Sequence, residues 1–117
     1  MVTAFADVPF TSPELEELLR EGGKFVWAAG PLAKGSSLCH GTGGNGYAFL
    51  KLFGRTGDAR WLQRARLFAM HGIEQTELHA AHYGRMRYSL WTGDLGFAVY
   101  LWDCIRGHAA FPTLDVF

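Results

Sequence analysis

Cysteine is scarce in this 117-residue chain, which contains only Cys39 and Cys104. Two cysteines are too few for a disulfide-stabilised scaffold, so we expect the reducing cytoplasm as the location. Neither sign of charge is in excess, because 11 Lys and Arg residues balance 11 Asp and Glu residues. A chain without a basic excess is not expected to bind nucleic acid through phosphate contacts, or an anionic membrane surface.

Long apolar runs are also missing. No segment approaches the about 18 residues of a membrane span, and no basic residue precedes the first apolar stretch, so no secretory signal is predicted. What the chain does have is 49% hydrophobic residues, 19% charged residues and 15 glycines. This composition predicts one packed domain in which glycine has a structural role.

Apolar residues at helical spacing, interrupted by glycine, predict an all-α fold without a sheet. We expect residues 1–11 to form a lead-in and residues 12–117 to form the folded segment. The segment 76–89 is predicted to be a loop. Helices are predicted over residues 12–30, 45–54, 58–73 and 94–106.

A short motif occurs twice. Residues 37–44 and residues 89–96 both read S-L-x-x-G-x-x-G, and each copy precedes an apolar helix. An amphipathic helix lies between the two copies. Buried and surface helices that alternate at a repeat of about 50 residues predict helical-hairpin repeats, in an open array or in a closed α/α toroid.

The first copy of the motif contains an adjacent cysteine and histidine, Cys39 and His40. In an irregular turn two neighbouring side chains can converge, and thiolate sulfur and imidazole nitrogen are both good zinc ligands. Spacing alone leaves two interpretations open. The pair either binds zinc, or Cys39 is a small buried side chain and His40 is a hydrogen-bonded loop residue.

Several stretches around the glycine turns resemble a known family. They are C-H-G followed by G-N-G-Y-A-F-L, then T-G-D-A-R-W-L and R-A-R-L-F-A-M, and finally S-L-W-T-G-D-L-G and F-P-T-L-D. Together they are similar to the C-terminal part of the lanthionine synthetase C-like (LanC-like) family. The resemblance covers about residues 12–117.

The resemblance implies an α/α toroid that binds one zinc ion through two cysteines and one histidine. Cys39 and His40 match two of those ligands. The open fourth position takes a thiol from a peptide or from glutathione, and zinc lowers its pKa. The thiolate then adds to dehydroalanine or dehydrobutyrine and forms a thioether.

This sequence departs from the family pattern before Cys39. The family's second zinc cysteine and its acid/base histidine and aspartate lie upstream of C-H-G, and no cysteine precedes Cys39 here. We therefore expect an incomplete chain that is inactive alone, with no catalytic residue assigned. It is expected to need an upstream toroid segment or to self-associate.

Two other classes of function stay open at this point. One is a non-catalytic helical module that binds a peptide or a partner chain. The other is an α/α-toroid module of the glycosidase type, which needs a placed pair of carboxylates. The glycine turns contain Asp94 but no such pair.

Three further residues are candidates for the site. Lys34 and Arg85 flank the two glycine turns and are candidates for binding a peptide or glutathione carboxylate, with solvated loop charges as the alternative. Cys104 lies in an apolar helix and is predicted to be a buried structural residue, with a replacement zinc ligand as the alternative.

The remaining titratable side chains are given structural roles. Asp94 is predicted to complement the N-terminus of a helix. His79 and His82 are predicted to be solvated loop residues, although their spacing also resembles half of a metal site. His71 and His108 are predicted to lie near helix ends.

Overall fold

Helices make up the architecture of the computed structural model, which describes residues 1–116. Apart from one isolated bridge between Pro112 and Val116, no strand pairing occurs among these residues. The all-α prediction is therefore confirmed. The helices in chain order are α1 (Val2–Phe5), α2 (Pro13–Ala29), α3 (Thr42–Thr56), α4 (Ala59–Tyr83) and α5 (Asp94–Arg106).

Two helices begin and end as predicted. The Ser12 side chain accepts a hydrogen bond from the Leu15 backbone N–H at 3.1 Å and so caps α2, with proline at its first position. Gly30 ends α2 with φ of 72°. Helix α5 ends at Gly107, which is left-handed, and glycine adopts this conformation without steric cost.

The predicted bounds of α3 need correction. Helix α3 begins at Thr42 rather than at residue 45, because the glycine turn itself is already helical from that point. It also continues past Gly54 and ends at the left-handed Gly57. Nothing lies within 4 Å of the position of a Cβ at Gly54, so this glycine is simply part of the exposed helix. The lead-in contains the short helix α1.

The prediction of a loop over residues 76–89 is wrong for its first half, because α4 continues to Tyr83 and ends at the left-handed Gly84. Regular apolar spacing stops at Ile73, which is why the last turns could not be predicted from periodicity. These turns are stabilised by tertiary contacts instead, since Thr76 Oγ1 donates to Ser36 Oγ at 2.8 Å.

Helix α3 is the centre of the molecule, and α4 packs along it most extensively. The described chain measures 49 × 31 × 21 Å, and its smallest dimension corresponds to two helix diameters of about 10 Å each. The arrangement is thus a two-layer segment of helical hairpins. The core contains the large buried side chains Tyr47, Phe49, Leu50, Phe68 and Tyr100.

The motif repeat is also a structural repeat. Gly41 and Gly93 precede α3 and α5 with nearly the same backbone angles, φ −116° and ψ −172° against φ −118° and ψ −170°. In each turn the first helical residue donates to the carbonyl seven positions earlier, at 2.9 Å for Thr42 and 2.7 Å for Asp94. A Cβ at either glycine would lie within 2.7 Å of three backbone atoms of its own turn. The motif therefore requires glycine at this position for close backbone packing.

The two ends of the described chain meet at one buried cation. Lys51 on α3 is only 1% exposed, and its ammonium group pairs with Asp7 of the lead-in and with Asp115 near the other end, the latter at 2.5 Å. A buried ammonium needs such partners because desolvation is costly. Lys51 thereby fixes both ends against α3.

Large apolar side chains are exposed at both edges of the hairpin segment. Phe25 on α2 is 76% exposed, and Ile105 on α5 is 69% exposed, with Leu18 and Trp102 beside them on the same helices. Exposed apolar side chains in this number indicate surfaces that another protein segment or chain can cover. No helix in the described residues is long and apolar enough to cross a membrane.

Candidate metal centre

The adjacent pair Cys39 and His40 lies in the glycine turn between α2 and α3, and both side chains are exposed. The two groups converge, because Cys39 Sγ and His40 Nε2 are 3.6 Å apart. The turn is also tied to its repeat partner, since the Cys39 backbone N–H donates to the Trp91 carbonyl at 2.9 Å. Cys39 is thus exposed rather than buried, whereas His40 makes a hydrogen-bond contact in the loop, as the alternative interpretation expects.

The separation of these two atoms fits a shared zinc ion. Zinc binds sulfur at about 2.3 Å and imidazole nitrogen at about 2.0–2.1 Å, and a tetrahedral angle between them places the two atoms about 3.6 Å apart. The observed distance between Cys39 Sγ and His40 Nε2 is 3.6 Å. The distance is thus compatible with two ligands of one ion, and equally with a hydrogen bond between the two side chains.

The pair has no third partner within residues 1–116, where no group of three or more His, Cys, Asp or Glu side chains is placed to bind a metal. Cys104 is buried in α5, ten residues beyond its first residue, which corresponds to about 15 Å along the helix. Burial raises the pKa of the Cys104 thiol to about 11. These properties agree with the prediction of a structural cysteine.

A shallow groove of about 530 Å³ runs beside the pair. Its lining includes Lys34, Leu38, Cys39, His40 and Asn45, and none of the residues that line it within the described chain is a carboxylate. Lys34 is exposed and so can present its ammonium group to a ligand in this groove. Arg85 is exposed but does not line the groove.

Two residues of α4 bind the turn that contains Cys39, and the sequence analysis missed both. Gln75 Nε2 donates to the Leu32 carbonyl at 2.7 Å, and Gln75 Oε1 accepts from Thr42 Oγ1 at 2.7 Å. Thr76 binds Ser36, a residue with no exposed surface. Only the helical extension of α4 brings these side chains to the turn, and the apolar pattern gave no signal for that extension.

The second glycine turn is closed by a charge pair. Asp94 is 8% exposed, and its carboxylate accepts from the Arg87 backbone N–H at 2.6 Å and from the Arg87 guanidinium at 2.9 Å. The prediction of Asp94 as a charge in the first turn of a helix is confirmed. Arg87 was not predicted, although it occupies the repeat position of Gly35, and its guanidinium also reaches Ser36 at 3.5 Å.

The histidines outside the turn are placed differently from the sequence prediction. His79 and His82 lie on the last turns of α4 rather than in a loop, and both rings pack against Tyr83 with centroids 4.5 Å apart. His71 is in the middle of α4, not near its end, because the helix is longer than predicted. His108 follows the end of α5, as predicted.

The helical hairpins, repeated through paired glycine turns, form an all-α arrangement that is consistent with part of an α/α toroid. The model of the family described as lanthionine synthetase C-like protein matches residues 4–116. The chain belongs to the lanthionine synthetase C-like family.

Two curated relatives give the extent of the match. The chain is 36% identical over 103 residues to a Danio rerio protein named glutathione S-transferase LANCL1, covering 87% of this chain and 25% of that protein. It is 41% identical over 58 residues to an Arabidopsis thaliana protein named LanC-like protein GCL1, covering 50% of this chain and 13% of that protein. This chain thus spans about a quarter or less of each relative. No solved structure matches it significantly.

Proposed function

We propose that this chain is the zinc-bearing part of a LanC-like protein that activates a thiol for thioether formation. The observation that carries the proposal is the separation of 3.6 Å between Cys39 Sγ and His40 Nε2, which fits two ligands of one tetrahedral zinc ion. Membership of the LanC-like family supports the same assignment. The similarity to a relative named as a glutathione S-transferase supports a thiol as the substrate.

Three residues of the groove have roles in this proposal. Cys39 and His40 bind zinc, and the exposed positions of both leave the substrate side open. Zinc held there would lower the pKa of a substrate thiol, which would lose its proton to solvent; the thiolate would add to Cβ of dehydroalanine or dehydrobutyrine while Cα takes a proton from solvent. Lys34 binds a carboxylate of the peptide or of glutathione, because its ammonium group lines the same groove. Arg85 contributes a second positive charge from outside the groove.

The third zinc ligand comes from a further LanC-like segment. A catalytic zinc site uses three protein ligands and one open position, and the pair provides two. The exposed apolar residues Phe25 and Ile105, at opposite edges, are the surfaces that additional toroid helices cover. The chain covers only 25% of the Danio rerio relative, which supports a further LanC-like segment as the source of the third ligand.

The alternative function is a non-catalytic helical module that binds a peptide or a partner chain. One observation favours it: the described residues contain two zinc ligands rather than three. A glycosidase-type function receives no such support, because the lining of the groove in the described part contains no carboxylate pair.

Zinc analysis of the purified chain separates the two functions. With two ligands, we expect clearly less than one zinc per chain, lowered further by Cys39→Ala and by His40→Ala. Cys104→Ala is the matched control, because this cysteine is buried in α5 and should leave the zinc content unchanged. A zinc content that is the same in the parent and in Cys39→Ala would refute the site assignment.

A further inference from the structure

The side chain of Gln75 joins the two ends of the segment that contains the Cys39–His40 pair. Its Nε2 donates to the Leu32 carbonyl and its Oε1 accepts from Thr42 Oγ1, both at 2.7 Å. Leu32 follows the end of α2, and Thr42 is the first residue of α3. One amide side chain on a third helix therefore closes the non-helical segment of residues 33–41.

Gln75 provides both a hydrogen-bond donor and an acceptor from one amide group, which few side chains can do. A primary amide offers a donor and an acceptor on opposite sides, whereas a carboxylate only accepts and an ammonium only donates. The backbone carbonyl of Leu32 needs a donor, and the hydroxyl of Thr42 here acts as a donor that needs an acceptor. A glutamate in the same place would keep one bond and set a negative charge against the Leu32 carbonyl.

Closing the segment matters for the geometry of the pair. Two ligands bind one ion only while their atoms stay near the required separation, and such sites depend on the groups that hold the ligands in place. The other side-chain contact from α4 to this segment runs from Thr76 to Ser36, which lies before Cys39. Gln75 alone spans from one end of the segment to the other among the described contacts.

We propose that Gln75 is a positioning residue for the Cys39–His40 pair. It acts through the segment of residues 33–41 and touches neither ligand. The proposal rests on the proposed function only in using zinc as a probe, because the closure of the segment can be measured without metal.

The test uses the full chain with four variants and two measurements. Gln75→Glu removes the bond to Leu32, and Thr42→Val removes the bond from the other end. Thr42→Ser keeps the hydroxyl, and Gln63→Ala is the control on the exposed face of the same helix. The measurements are hydrogen exchange of the amides in residues 33–44, and the zinc concentration that half-protects Cys39 from alkylation.

We expect exchange in the segment to rise about fivefold in Gln75→Glu and in Thr42→Val, with exchange in α2 unchanged, since one hydrogen bond is lost. The half-protecting zinc concentration should rise by about the same factor. Thr42→Ser and Gln63→Ala should match the parent in both measurements. A general loss of stability would not be rescued by serine in this way.

Two results separate the two proposals. Parent-like exchange and parent-like zinc protection in both Gln75→Glu and Thr42→Val would overturn the positioning role. If zinc fails to protect Cys39 in the parent chain, the proposed function fails for this chain. Exchange in the segment then still decides whether Gln75 closes it.

Discussion

Replacing glycine by alanine should change stability in opposite directions at Gly54 within α3 and at Gly41 directly before it. Gly54 lies in the exposed part of the helix, with nothing within 4 Å of an added Cβ. Alanine there should stabilise the fold by about 0.5–1 kcal/mol, because glycine loses more backbone entropy on folding. At Gly41 an added Cβ would lie 2.3 Å from the Gly35 carbonyl oxygen and 2.5 Å from the Ser37 nitrogen.

The Gly41→Ala variant should be destabilised by about 1–3 kcal/mol, because the contacts are with backbone atoms that cannot rotate away. The backbone angles of Gly41 are in the extended region, so the cost is steric and not conformational. Gly93→Ala, at the repeat position, should cost a similar amount, since its Cβ would lie 2.4 Å from a carbonyl oxygen.

Urea unfolding followed by circular dichroism measures all three variants. Gly54→Ala should raise the midpoint, and Gly41→Ala and Gly93→Ala should lower it, with an unchanged slope. A Gly41→Ala protein as stable as the parent would refute the account of the glycine turns. So would a large difference between the costs at Gly41 and Gly93.

Three further outcomes are expected. Tyr100→Phe should lower the free energy of unfolding by about 1–2 kcal/mol in urea titration, because the buried hydrogen bond that the Tyr100 hydroxyl donates to the Ala65 carbonyl at 2.6 Å would be lost. At pH 8 iodoacetamide should alkylate the exposed Cys39 and leave Cys104 unmodified until urea is added, as measured by peptide mass. Burial raises the pKa of the Cys104 thiol to about 11 and so keeps this thiol protonated. Equal labelling of the two cysteines would contradict the burial of Cys104. Phe25→Lys combined with Ile105→Glu should reduce self-association of the chain, as measured by light scattering, because both side chains are exposed apolar groups. Unchanged self-association would show that these two edges are not the contact surfaces.

The sequence predicted those parts of the fold whose signals are local. The cap at Ser12, the stops at Gly30 and Gly107 and the repeated motif could be identified from the sequence, and the corresponding helix ends are present. The predicted end of α3 at Gly54 was wrong. The last turns of α4 were not predictable from periodicity, because they are held by partners far away in sequence, such as Ser36 for Thr76. A tertiary contact of this kind leaves no regular pattern in the segment itself.

At the candidate site, too, only the residues with a local sequence signal could be predicted. Cys39 and His40 could be identified because ligand chemistry and a family motif coincide at adjacent positions. Gln75 could not, because nothing in its neighbourhood distinguishes it from any other polar helix residue. Its importance arises from the distances of 2.7 Å to Leu32 and to Thr42, and these depend on how α4 crosses the ends of α2 and α3.

The two glycine turns have matching backbone geometry but carry side chains of different chemistry. The positions of Cys39 and His40 in the first turn correspond to Trp91 and Thr92 in the second, and both turns keep the same angles at the following glycine. One backbone frame thus carries two unrelated side-chain pairs. A metal-ligand pair can consequently be introduced into the second turn by substitution, and the function of this turn can be changed without rebuilding the helices.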